Sequence, residues 1–468
     1  MLRLKKMCVS GGRRMAWKVG IGLVALLAVS GTAIFAGSSL PTPLLTVDDS
    51  GILSTYTKSH RLNLDSAFFK SLGTNGRTCA TCHQPGDAWS VTPQHVQARF
   101  LVSSGRDPIF RPVDGANCPS ADVSTVDKMR KAYSLLLKKG LIRVSLAVPS
   151  TADFSIQDIQ DPYNCPETNS VTAALYRRPL PSTNLGFLST VMWDGRETVK
   201  GAPITDDLAT QAIDATTGHA EAAQPPTAEQ VADIVAFETA LFTAQVYDTR
   251  AGNLTERGGK GGPQNLSAQP FHIGINDVLG GDPSGAPFNP VVFNGYAAWA
   301  HATGPNAASR QAVSRGETLF NTFAITITGV AGLNDMPGLS TVNGTCTTCH
   351  DTPNAGDHSV SLPISIGTSD YPAVPALNIS GLPVYTVSCA DGSSVKVTDL
   401  GRAMITGKCS DVGKMKGPIL RGLAARAPYF HNGGAASLLD VVDFYDQRFK
   451  LNLSAQQKSD LVAFLKTL

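Results

Sequence analysis

The sequence predicts a mainly α chain of two similar halves joined by long ordered loops. Three observations carry that expectation. The pentapeptide C-x-x-C-H occurs twice, at Cys79–His83 and Cys346–His350. Ala232–Leu241 closely repeats as Ser459–Leu468, so each half reads as a C-x-x-C-H motif followed by a closing helix. Long runs of apolar/polar alternation, the mark of half-buried strands, are scarce.

The chain begins with Arg3, Lys5, Lys6, Arg13, Arg14 and Lys18 and no acidic residue before an apolar run from Val19 to Ala36. That pattern fits a signal peptide or an uncleaved N-terminal membrane anchor over 1–36, and both stay open. Positive charge before the run places the remaining chain outside the cytoplasm, in the periplasm. Six of the 39 basic residues lie in 1–36, leaving 33 against 37 acidic ones. A body of about four negative charges argues against nucleic-acid or anionic-lipid binding.

Two thiols at C-x-x-C spacing can form thioether bonds to one haem, and the adjacent His then reaches the iron. Zinc would need a second thiol or imidazole pair nearby, which neither copy has. The motifs therefore point to two covalent haem c groups, on Cys79, Cys82 and His83 and on Cys346, Cys349 and His350. Export and covalent haem attachment support each other. Of the nine cysteines, Cys118, Cys165, Cys389 and Cys409 remain after these four and Cys8, an even number in an oxidising compartment. The simplest pairing, Cys118–Cys165 and Cys389–Cys409, keeps each bridge inside one half.

The first closing helix starts at Thr227-x-x-Gln230 and the second at Ser454-x-x-Gln457, both capping boxes. Ile234, Val235, Phe237 and Leu241 recur at helical spacing, as do Leu461, Val462, Phe464 and Leu468. Ala308–Phe320 opens the second half, with Val313, Leu319 and Phe320 facing its core. The expected organisation is thus two cytochrome c-like haem domains, 37–250 and 307–468. Between them lies a Gly-, Pro- and Asn-rich connecting segment, 251–306.

Five stretches resemble the bacterial dihaem cytochrome c peroxidases and the related MauG-type enzymes. They are the two haem motifs, Met192–Arg196 (M-W-D-G-R), Leu420–Gly433 with its A-P-Y-F-H-N-G ending, and Leu438–Tyr445. The resemblance implies that peroxide reacts at the first haem while the second passes electrons. It makes Trp193 the bridge between them, with Asp194 and Arg196 fixing the loop. It also places a Gln and, ten residues on, a Glu above the first haem. Here those are Gln211 and Glu221, beyond an apparent insertion at 197–208, with His219 as a rival acid–base group. Peroxide needs a base for its first proton and a donor to polarise the O–O bond.

Further implications concern the irons' remaining ligands. Fourteen residues after His431, where peroxidases of the family carry Met and MauG-type members Tyr, stands Tyr445. A phenolate favours high-valent iron in the second haem. Met404 and Met415 are alternative ligands, and His431 itself is read as structural. The His that closes the first haem in resting peroxidases is replaced by Arg99, with His95 the nearest candidate. Many members hold calcium between the haems. Here Arg178 and Arg426 occupy or adjoin its ligand positions, and a guanidinium can replace the ion.

The function expected is that of an exported dihaem oxidoreductase reducing hydrogen peroxide, with a small cytochrome c or copper protein as electron donor. Two alternatives are a MauG-like oxidase acting on a partner protein and an electron-transfer cytochrome without peroxidase activity.

Overall fold

The computed structural model describes residues 38–468, so the signal or anchor expected over 1–36 lies outside the described residues. No helix among the described residues is long and apolar enough to cross a membrane. The chain is not mainly α. It is 29% helical, with 17% in strands spread over several small sheets.

The strands escaped the sequence because their partners are remote. Gly51–Tyr56 pairs on one side with Leu44–Asp48 and on the other with Phe242–Asp248, nearly two hundred residues away; Gly252–Asn253 completes the antiparallel sheet. Asp48 Oδ1 closes its first turn by accepting Ser50 N and Gly51 N, each at 2.8 Å. Phe154–Gln160 pairs with Val384–Cys389, which also pairs with Ser394–Val397. Thr172–Arg177, antiparallel to Ile142–Ala147, is buried along nearly its whole length and so shows no alternation.

The expected helices form. Ala228–Thr239 starts at a capping box of Thr227 and Gln230, and Ala455–Leu465 at one of Ser454 and Gln457. Ala307–Thr322 crosses Ala455–Leu465 so closely that a Cβ on Gly316 would stand 2.0 Å from Asp460 O. Around that crossing Phe293, Phe320, Phe464 and Trp299 build one core. Phe68, Trp89, Ile234, Phe237 and Leu241 build a smaller counterpart beside the first motif. Trp299 and Tyr296 of the 251–306 stretch are buried in the first of these cores. Both disulfides, Cys118–Cys165 and Cys389–Cys409, are present.

Candidate haem cavities and active site

Each C-x-x-C-H motif folds as a short 3-10 turn, Cys79–Thr81 and Cys346–Thr348. Each turn is locked by a capping box, Thr78 with Thr81 and Thr345 with Thr348. The turn sends both thiols and the His to one side. His83 Nδ1 lies 2.9 Å from Trp89 O and 3.0 Å from Ser182 Oγ. His350 Nδ1 lies 2.6 Å from Gly356 O. With Nδ1 occupied in this way, Nε2 is the free ligand atom on both rings. Burial pushes His83 down to about 4 and also lowers His350, so both imidazoles are in the neutral, ligating form. Burial likewise pushes the Cys79, Cys346 and Cys349 thiols up to about 12.

The first motif faces a cavity lined by Cys79, Cys82 and His83, and the second faces one lined by Cys346, Cys349 and His350. Their walls are mainly apolar but carry buried cations that lack carboxylate partners. The Arg178 guanidinium donates only to carbonyls, those of Lys139, Val91 and Arg426. Arg426 donates to Ile419 O while its Nε has no partner. Burial pushes both guanidinia down to about 10 and Lys416 to about 8. In the second cavity, unpaired buried guanidinia beside a thiol pair and a free imidazole nitrogen fit a haem c group, whose propionates would supply the missing negative charge, and the first cavity offers the same thiol pair and imidazole.

The two cavities adjoin. Pro179, Pro181, Lys416 and Pro418 line both. Met192, at φ 66°, lines the first and Trp193 the second. Trp193 Nε1 donates to Arg178 O at 2.8 Å and its carbonyl accepts Lys416 N at 2.8 Å. Asp194 and Arg196 are in the loop's anchor. Arg196 NH1 reaches Asp194 at 3.1 Å, and buried Arg177 binds Asp194 on one side and Asp399 on the other, at 2.7 and 2.8 Å.

The expected distal residues separate. Gln211 and His219 line the first cavity. Glu221 does not: it is exposed, at φ 55°, and its Oε2 accepts Asn75 Nδ2 at 2.9 Å. In its place the cavity holds Arg77 and Asp114, with His219 Nδ1 2.5 Å from Asp114 Oδ2. Sequence reasoning missed both. Arg77 stands two residues before Cys79, a usable hint, whereas Asp114 lies in a loop without a motif. It also missed Glu238, a buried carboxyl on the first cavity wall that burial pushes up to about 7.

At the second cavity Tyr445 and Met415 both line the wall, while Met404 packs in another core beside Tyr385. Tyr445 stacks on Phe449 at 6.3 Å and 17°. His431 is buried there, 3.2 Å from Ser369 Oγ and 6.1 Å from the Trp193 ring centre. His95 lines neither cavity; its Nδ1 binds Asp87 Oδ1 at 2.7 Å. Arg99 is likewise engaged, with Asp107 and Thr81 O.

This combination defines a protein with two adjoining cavities, each lined by a C-x-x-C-H motif, around a shared wall. No family model matches the chain. It is 36% identical over 138 residues to "Cytochrome-c peroxidase IdrP2" of Denitromonas iodatirespirans, covering 27% of this chain and 37% of that protein. It is 34% identical over 147 residues to "Cytochrome-c peroxidase IdrP1" of Pseudomonas sp. (strain SCT), covering 28% and 38%. "Cytochrome c551 peroxidase" of Nitrosomonas europaea matches at 43% over 70 residues, covering 14% of this chain and 21% of that protein. The chain thus matches less than two-fifths of the length of these relatives. The solved structure of "a MauG-like protein associated with microbial copper homeostasis" is 17% identical at a TM-score of 0.39, covering 86% of this chain and 85% of that one. The resemblance read from the motifs is therefore shared with named cytochrome-c peroxidases.

Proposed function

We propose that this protein reduces hydrogen peroxide in the first cavity and receives the electrons through the second. The observation that carries this reading is the common wall. Two cavities, each with a C-x-x-C-H motif, meet where Met192 and Trp193 face opposite ways. Each haem, once bound, supplies iron-centred one-electron redox chemistry. Cys79 and Cys82 would hold the first and His83 would ligate it; Cys346, Cys349 and His350 would do so for the second.

The protein residues do the rest. His83 is steadied by Trp89 O and Ser182. Gln211 offers an amide donor to a bound oxygen, and His219 holds and moves the proton that peroxide must lose. Glu221 sits two residues from His219 but does not line the cavity, and is the weaker candidate for that role. Trp193, a large aromatic in the shared wall, couples the two cavities. Arg178 and Arg426 put positive charge on the second cavity wall, the role that the family resemblance would give to calcium. The electron donor is a small cytochrome c or copper protein, and the working compartment is the periplasm.

A second reading is favoured by one residue. Tyr445 stands on the wall of the second cavity together with Met415, and a phenolate ligand there suits oxidation of a partner protein.

The test is electron paramagnetic resonance of the oxidised, haem-loaded protein with one equivalent of hydrogen peroxide. One high-spin and one low-spin ferric signal, both lost on addition, is the expected result. Two low-spin signals that ignore peroxide even after one-electron reduction would leave only an electron-transfer cytochrome.

A further inference from the structure

His219 is held at both ends, and the way it is held assigns a role to two residues outside every motif. It follows helix Ile204–Gly218 as its C-terminal cap. Its carbonyl accepts Asn75 Nδ2 at 2.9 Å and Arg77 NH1 at 3.0 Å, and Thr74 N donates to Ala220 O at 3.0 Å. The segment just before the first haem motif therefore clamps the His219 backbone. On the side chain, Nδ1 meets Asp114 Oδ2 at 2.5 Å. The other oxygen of Asp114 takes Arg77 NH1 at 2.6 Å, and Arg77 also donates to Pro108 O at 2.9 Å and Ile109 O at 2.7 Å.

Asp114 is buried, which alone would raise its carboxyl. The hydrogen bonds and charges of His219 and Arg77 hold it below the ordinary range instead. An ionised carboxylate can only accept. His219 Nδ1 therefore carries the hydrogen, and Nε2, which bonds no described residue, is the acceptor atom whenever the ring is neutral, on a residue of the cavity wall.

We propose, resting on the peroxide reading above, that Asp114 is the positioning residue for proton transfer by His219, with Arg77 fixing Asp114 in turn. His219 Nε2 takes the proton from one peroxide oxygen and returns it to the other as the O–O bond breaks, and that oxygen leaves as water. Complete reduction to a second water consumes two electrons from the haem pair and its one-electron donor, and two protons from solvent. The carboxylate keeps the imidazole in the tautomer that can accept, and stabilises it while it carries the proton.

The experiment uses the haem-loaded full chain and two stopped-flow readouts at the first haem. They are the rate of reaction with hydrogen peroxide and the rate of hydrogen cyanide association, which also requires loss of a proton but no O–O cleavage. His219→Ala should slow the peroxide reaction by about 10²–10⁴-fold, with partial recovery on adding imidazole. Asp114→Asn should slow both processes by on the order of 10–100-fold with an unchanged Soret spectrum, and Asp114→Glu should restore part of the loss. Wild-type rates in both Asp114→Asn and His219→Ala would overturn the inference while leaving the peroxide reading intact. A wild-type protein inert to peroxide would overturn that reading, and the cyanide arm would still decide whether Asp114 positions His219. If Asp114→Asn fails to fold, absence of imidazole rescue in His219→Ala is the overturning result.

Discussion

Gly73 has no room for a side chain, because a Cβ would sit 1.9 Å from Ala220 O. That contact presses the loop before Cys79 onto the residue after His219. Gly73→Ala is expected to cost about 1–3 kcal/mol, as overpacking does, and to slow peroxide turnover by displacing His219. Thermal unfolding and stopped-flow rates check the two effects. The two C-x-x-C-H motifs were legible in the sequence because their chemistry demands a fixed spacing. Asp114 was not, since it reaches His219 across 105 positions through a loop that no periodicity describes. Glu221 misled for a related reason. Its spacing from Gln211 fits the family, but its left-handed backbone turns the carboxylate toward Asn75.

The buried Arg177 between Asp194 and Asp399 sets a further residue-scale expectation. Burial would raise both carboxyls, but the guanidinium overrides it and holds both below the ordinary carboxylate range. A depressed folded-state value gives stability that is complete above the unfolded value near ~3.9 and lost as pH falls through the folded one. Urea midpoints should therefore hold steady down to about pH 5 and fall below it. Asp399→Ala leaves a buried guanidinium half-paired and should cost about 3–5 kcal/mol at neutral pH. A urea curve at pH 7 that shifted by less than measurement error would refute this.

At the scale of elements, helices with caps could be read directly and strands could not. Ser454 and Gln457 mark a helix start by themselves. Phe154–Gln160 becomes a strand only because Val384–Cys389 arrives beside it, and no local window contains both. The mainly α expectation failed for this reason, not through weak β propensity. The crossing of Ala307–Thr322 with Ala455–Leu465 depends on Phe464, which is fully buried against Phe293 and Phe320. Phe464→Ala should destabilise by about 3–5 kcal/mol, seen as a lowered denaturation midpoint. Because Phe320 also packs near His350, with ring centres 5.9 Å apart, the second haem's spectrum should broaden in the same variant.

For the whole molecule, the relation between the two cavities matters more than either alone. If Trp193 couples them, Trp193→Phe should leave peroxide reacting in the first cavity while the second haem's low-spin signal persists after one equivalent. Freeze-quench paramagnetic resonance reads this outcome, and simultaneous loss of both signals would contradict it. Neither the shared wall nor the pairing of Pro179 and Pro181 with Lys416 and Pro418 could be foreseen, since it joins segments more than two hundred residues apart.

Met192 and Trp193 are separated by one peptide plane, yet each looks into a different chamber. A substitution that tilts this peptide plane moves both Cα atoms, whereas turning the Met192 side chain about its own bonds does not. That plane is held by Gly195 N on the Met192 carbonyl at 3.2 Å, and the next one by Lys416 N on the Trp193 carbonyl, so a backbone shift there is passed to the segment that lines both chambers. Redesigning one chamber for a bulkier oxidant is thus a joint design problem, and variants selected on the first should be sequenced for compensating changes around the second.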